Sequence, residues 1–446
     1  MPLTRYLPPL AILSGLLASP AAAAPICPRG GEIACHLVAR TGADGEIHGD
    51  AEPQAFGPAE LQDAYHAMMA ASTAPTVAII DAYGYANLEH DLAIYRAQFR
   101  LPPCTRATGC LRIVNGAGDT APLPPEPPPD NDWTNETGLD VDMASAGCPA
   151  CKILVVQSAD TSLLAMATAQ RTAVRLGATV ISDSWGAPNT SANELASEPY
   201  FDHPGVPTFV STGDRGYNEG GDGPHYPSTS AHVIAVGGTR LVRSAGARGW
   251  SEDAWAMAGS SCSDAIAQPA YQAGSPCRFR ATGDVAAVAD LATGVATFST
   301  NAGGWYVAGG TSAASPLVAA LIAGSGLAPQ VDGAWLAQHA GALNDVTSGT
   351  NGGCGTALCN AGPGWDGPTG YGTLDVAALL DTTGAGDAPG TGDDRHGVTG
   401  GCAATGAPGE LLLGLGGLAL LRRRRRRAVT ARGARTPRRS WAVPPR

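Results

Sequence analysis

The chain has 446 residues, 44% of them hydrophobic, which is enough to bury one large core or two smaller ones and excludes wholesale disorder. Its formal net charge of −11 is unevenly spread: residues 422–446 hold eleven of the 28 basic residues and no acid, so the remainder sets 17 bases against 39 acids, a balance of −22. A body this acidic, with Lys152 as its single lysine, excludes nucleic acid as the partner.

Arg5, the apolar run 6–17 and the small residues 21–24 read as a secretory signal peptide (1–24), cleaved near Ala24. Cysteine usage agrees with an oxidising compartment. Ten of the eleven cysteines fall into close pairs (27/35, 104/110, 148/151, 262/277 and 354/359), and five local disulfides are the simplest account. Spacing alone does not prove that connectivity, and Cys148-Pro-Ala-Cys151 also admits a redox or zinc reading, although no second CxxC or suitable His pair accompanies it. Cys402 is left over.

A short N-terminal segment (25–54), a possible propeptide remnant, leads into a helix expected over 56–65, where Pro58 precedes helix formers. Residues 76–80 form a buried-strand candidate ending at Asp81, and 89–99 have helical spacing. Strands are then expected at 153–157, 179–184, 208–211 and 232–236, with a helix at 163–176. Such alternation predicts an α/β domain with a mostly parallel sheet covered by helices on both faces. Active sites in such sheets lie at the carboxyl ends of the strands, which here carry Asp81, Ser184-Trp185-Gly186 and Gly213-Asp214.

Between these elements, Glu136 and Asp140 open a helix expected to run to about Ala146. Their spacing of four puts both acids on one helical face, where like charges destabilise by a few tenths of a kcal/mol unless one is protonated or the pair has a task. The plain alternative is two solvated acids favoured by a helix N-terminus. The octapeptide Gly309 to Pro316 carries a second chemical signal. Two glycines permit a sharp turn, and Ser312 then opens a small-residue helix over 313–323, where unpaired N–H groups and the dipole favour the negative charge that develops when a serine attacks a carbonyl. A Gly-rich turn capped by serine is the bland reading.

Residues 381–401 are Gly/Asp/Thr-rich and read as a linker. The tail 402–446 joins Cys402, a short apolar run at 411–421 and six consecutive arginines. That run alone is too short to span a bilayer. The stretch 403–421 reaches the roughly 20 residues needed if Glu410 is tolerated, with the arginines on the cytoplasmic side.

Over about residues 55–380 the chain resembles the sedolisins, the serine-carboxyl peptidases of subtilisin-like fold. The marks are Glu136-x-x-x-Asp140, the Ser211-Thr-Gly-Asp214 turn, Gly310-Thr-Ser312, and Asp345-Val346 followed by Ala361-Gly-Pro-Gly-Trp-Asp366. The resemblance implies a three-layer fold with Ser312 as nucleophile, Glu136 as its base, Asp140 orienting Glu136, and Asp214 donating to the oxyanion. An aspartate helps an oxyanion only when protonated, so activity is expected at acidic pH. Ser184, Trp185 and Gly186 resemble the segment that pairs with substrate backbone. Asp345 and Asp366, with the carbonyls of Val346, Gly362 and Gly364, match the family's site for one structural Ca²⁺, an ion that takes hard oxygen ligands.

Several departures stand out. Gly309 replaces a common serine, and Arg215 follows Asp214 where a serine is usual, placing a cation able to lower that aspartate's pKa. No histidine lies in a His-Gly-Thr motif of the subtilisin type; His48-Gly49-Asp50 is the nearest, ahead of the catalytic domain. Asp81 ends the first strand where subtilisins carry their acid and is read here as a structural acid or weak accessory. The tail resembles a Cys/apolar/Arg sorting tail of myxobacterial type. The expectation is therefore a secreted, monomeric endopeptidase acting on proteins or peptides, extracellular or anchored to the cell envelope or membrane through its tail. A catalytically silent surface-binding protein on the same fold and a conventional subtilisin-type hydrolase are the competitors.

Overall fold

The computed structural model describes residues 22–27, 33–128, 131, 133–188 and 190–384. The expected signal peptide falls almost wholly outside them, as do Cys402, the tail and nearly all of the linker. Among the described residues no helix is long and apolar enough to cross a membrane.

The core is a ten-stranded sheet. Its long parallel run is ordered Leu111–Asn115, Lys152–Ser158, Thr76–Ala82, Val180–Asp183, Thr208–Ser211, Val233–Arg243, Val285–Val288 and Thr373–Leu374. Leu343–Asn344 closes one edge antiparallel, and Trp250–Ala254 pairs antiparallel with the far end of Val233–Arg243. The central strands are apolar almost without interruption because both faces are covered; in Thr76–Ala82 every residue after Thr76 is buried. Each expected strand is present within a residue or two, except that the one expected at 232–236 continues to Arg243 and turns a hairpin there.

Two helices, Trp133–Gly147 and Thr311–Ser325, are buried along their whole length. For the second this follows from its sequence, which is apolar or small on every side. Small residues let the two approach closely: a Cβ on Gly147 would lie 2.8 Å from Ala320 Cβ and 2.9 Å from Leu317 O. The helix expected from Glu136 in fact starts at Trp133, so Glu136 sits in its first turn, and Ser312 sits in the first turn of the other. The solvated-acid alternative for Glu136 and Asp140 is excluded, since both are fully buried.

The N-terminal segment is part of this body. Val38–Thr41 pairs with Gly304–Gly309, and Ala34–Cys35 pairs with Trp185–Pro188, placing residues 34–41 over the carboxyl ends of the central strands. Five disulfides join the sequence-adjacent pairs; Cys148 and Cys151 are bonded to each other, which leaves them no thiolate for zinc, and both are buried.

Candidate active site

Ser312, Glu136, Asp140 and Asp214 converge although they come from two helices and a loop. The turn before Ser312 exists because glycine alone fits it. Gly310 has φ +89°, and a Cβ there would lie 2.1 Å from His36 O and 2.5 Å from Asp214 Oδ2. Gly309 is equally constrained, with a Cβ placed 2.3 Å from the Ala289 carbonyl oxygen, so a serine at this position would require the backbone to shift.

Ser312 Oγ faces the Ser184 carbonyl oxygen at 3.4 Å and lies within reach of the Glu136 carboxyl, which in turn interacts with Asp140. Neither Glu136 oxygen makes a hydrogen bond of ordinary geometry, a looseness common in catalytic pairs before substrate is bound. Asp140 is fixed by the Ser184 hydroxyl, which donates to its Oδ1 at 2.8 Å. Asp214 is fixed by Thr311, whose N–H and hydroxyl each donate to Oδ1 at 2.8 Å, while Oδ2 faces Gly310.

Burial pushes the Glu136 and Asp140 carboxyls well above the carboxylate range, and the Asp81 carboxyl raises both further. Asp81 itself is pushed up to about 7, again by burial first. Asp81, read from sequence as a structural acid or weak accessory, is a third buried carboxyl beside the pair. Its position at the end of a central strand was the available signal. Thr311 gave none.

Trp185 contributes backbone to its strand, while its indole is fully buried and donates from Nε1 to Ile80 O at 2.8 Å, so the ring belongs to the core. Arg215 forms an ion pair with Asp222, which engages its charge away from Asp214.

Of the proposed metal residues, Asp345 and Asp366 each contact the 362–364 loop. Asp366 is buried and accepts from Thr369 N (2.9 Å), Thr369 Oγ1 (2.8 Å) and Gly362 N (3.2 Å), and Gly364 N donates to Asp345 Oδ2 at 3.0 Å. Burial first, opposed by these donors and aided by the nearby Asp345 charge, pushes Asp366 up to about 7. The buried Asp366 carboxyl and the exposed Asp345 carboxyl beside it are hard oxygen ligands of the kind a divalent cation takes, and such an ion would relieve their repulsion.

The Subtilase family profile matches residues 130–338. Kumamolisin of Bacillus sp. (strain MN-32) is 31% identical over 386 residues, covering 76% of this chain and 66% of its own. Sedolisin of Pseudomonas sp. (strain 101) is 35% identical over 201 residues, 38% of this chain and 33% of its own. The chain thus spans a little under two thirds of the one relative and one third of the other. In structure it is similar to Pseudomonas sedolisin, a serine-carboxyl proteinase solved with two molecules of pseudo-iodotyrostatin, at a TM-score of 0.63 and 26% identity over 75% of this chain and 100% of that one. The fold is subtilisin-like, the chain is similar to the sedolisins in sequence and structure, and these likenesses support a serine-type peptidase.

Proposed function

We propose that the chain is a secreted serine-carboxyl endopeptidase that hydrolyses peptide bonds through an acyl-enzyme on Ser312, at acidic pH. The observation that carries this reading is the convergence of a serine at a helix N-terminus with two buried carboxyls whose protonation is favoured. Ser312 Oγ attacks the carbonyl, Glu136 takes its proton, and Asp140 holds Glu136 in place and shares a proton with it. Negative charge developing on the carbonyl oxygen is met by the Ser312 N–H and by the Asp214 carboxyl in its protonated form. Glu136 then returns the proton to the leaving amine. The Ser184–Gly186 backbone binds the substrate as an added strand.

The competing inactive reading leaves the alignment of Ser312, Glu136 and Asp140 without a purpose. A mixed peptide library digested from pH 3 to pH 8 separates the two: cutting by the wild type, greatest below neutral and absent in Ser312→Ala, is expected. Cutting that peaks at or above neutral would remove the acid-pH part of the proposal, and no cutting at any pH would favour the silent domain.

The proposal includes one structural Ca²⁺ held by Asp345, Asp366 and the carbonyls of Val346, Gly362 and Gly364. It lends rigidity to the 345–370 loops and takes no part in the chemistry. Excess chelator is expected to lower Tm by about 5 °C, the shift that loss of a site saturated about a hundredfold above its Kd gives a domain of this size. An unchanged melting curve would remove the metal. Secretion is part of the same proposal, supported by the N-terminal apolar run and the disulfides, as are a monomeric state and envelope attachment through the Cys/apolar/Arg tail.

A further inference from the structure

The catalytic groups are fully covered, and what covers them is the chain itself. Residues 34–38 run through the cleft as a peptide substrate would. Ala34 and Cys35 pair antiparallel with Gly186 and Trp185, and His36 N donates to Ser184 O at 3.0 Å. The next carbonyl is the decisive one: Ser312 N donates to His36 O at 3.3 Å, and that oxygen lies against Gly310 beside Asp214 Oδ2, where the oxyanion is to be stabilised. Beyond it, Val38 and Ala39 pair with Gly309 and Ala308, so backbone is gripped on both sides of the His36–Leu37 bond. The Cys27–Cys35 sulfurs lie within 4.8 Å of a Glu136 oxygen, closing the cleft over the base.

The His36 side chain is held as specifically as its backbone. Its Nδ1 bonds Ser211 Oγ at 2.6 Å, and its ring stacks on His225 with centroids 5.8 Å apart and planes inclined by 23°. Gly186 forms the third wall, since a Cβ there would come within 3.1 Å of His36 Cε1. His36 is only 4% exposed. Ser211 supplies polarity, His225 a flat face and Gly186 the room.

We infer that Ser211, His225 and Gly186 form a slot for an imidazole side chain, and that the chain's own His36–Leu37 bond, whose imidazole fills it, is the first bond the site cuts. This rests on the peptidase reading above. Ser312 Oγ bonds to the His36 carbonyl carbon as its proton passes to Glu136. The His36–Leu37 C–N bond then breaks, and the proton goes to the Leu37 nitrogen, which leaves as a new N-terminus. Water hydrolyses the ester, giving the His36 carboxylic acid and restoring the Ser312 hydroxyl. Until then the segment blocks the cleft to other peptides. Afterwards the enzyme prefers substrates with histidine just before the cut.

The test uses the full chain. Incubation at acidic pH, followed by intact mass and N-terminal sequencing, is expected to give Leu37 as the new N-terminus in wild type and an intact segment in Ser312→Ala. A synthetic peptide of residues 33–40 added to the processed enzyme is expected to be cut between its His and Leu. The peptide library should show histidine before the cut enriched at least about tenfold over leucine, and Ser211→Ala should reduce that ratio of kcat/KM by about tenfold, the loss of one buried hydrogen bond. A mature N-terminus elsewhere, or Ser312-dependent cutting without histidine enrichment, overturns this inference and leaves the peptidase reading intact. No Ser312-dependent cutting of any substrate overturns both.

Discussion

Glu136→Gln lowers kcat/KM on a peptide substrate by a factor on the order of 10⁴ or more, Ser312→Ala does at least as much damage, and the double variant is no worse than Ser312→Ala alone. The reason is that the two groups act as a unit. An amide in place of the Glu136 carboxyl keeps its shape but cannot accept the Ser312 proton, and without Ser312 there is no proton to accept. The same substitution is expected to leave Tm unchanged or raised, because it exchanges a fully buried ionisable group, held beside Asp81 and Asp140, for a neutral one. Loss of activity with retained stability distinguishes a base from a structural acid. A Glu136→Gln enzyme with more than a tenth of wild-type kcat/KM would show that another group takes the proton.

The parts of the site that sequence reveals are those set by local chemistry. Gly310-Thr-Ser312 is legible because a positive-φ glycine followed by small helix formers has few other uses, and Glu136/Asp140 because like charges four apart ask for a reason. The parallel sheet is legible because doubly covered strands are uninterrupted apolar runs. What stays hidden depends on pairing between distant residues. Asp81 reads as an ordinary acid at a strand end until the close packing of Gly147 on Ala320 brings the helix of Glu136 and Asp140 against it. The N-terminal strand Ala34–Cys35 has two residues, too few for any periodicity, and its partner lies at Trp185–Gly186.

The same buried acids make the protein more stable in acid than at neutrality, and this is the second large expected effect. Asp81, Glu136, Asp140, Asp142 and Asp183 all have native pKa values raised, with burial the first cause in each; Gln170 donates to both oxygens of Asp183, and Thr297 with the Phe298 N–H donates to Asp142, without offsetting it. Below about pH 4 the native and unfolded chains both hold these protons, and the groups cost nothing. As pH rises past the ordinary carboxyl range the unfolded chain releases them while the native chain keeps them, the Glu136/Asp140 pair as one shared proton that leaves Glu136 able to act as base, so stability falls by up to about 1.4 kcal/mol per pH unit for each retained proton until its native pKa is reached, about 7 for Asp81. Three groups run the other way. Asp44 is lowered, chiefly by the Glu46 N–H, and Asp160, chiefly by the Ser162 side chain, but both are exposed; His203 is lowered by burial, and it disfavours acid. The protons retained on the buried carboxyls outweigh them. Calorimetry of Ser312→Ala, chosen to avoid self-digestion, at fixed calcium from pH 3 to pH 8 should therefore show the highest Tm on the acid side and a steady fall above about pH 5. Asp183→Asn, whose side chain is bonded to Gln170, should flatten that fall by removing one titrating group. A Tm that climbs from pH 4 to pH 7 would mean that the carboxyls are ionised in the native state, and a Glu136/Asp140 pair holding a shared proton near pH 5 would no longer be tenable.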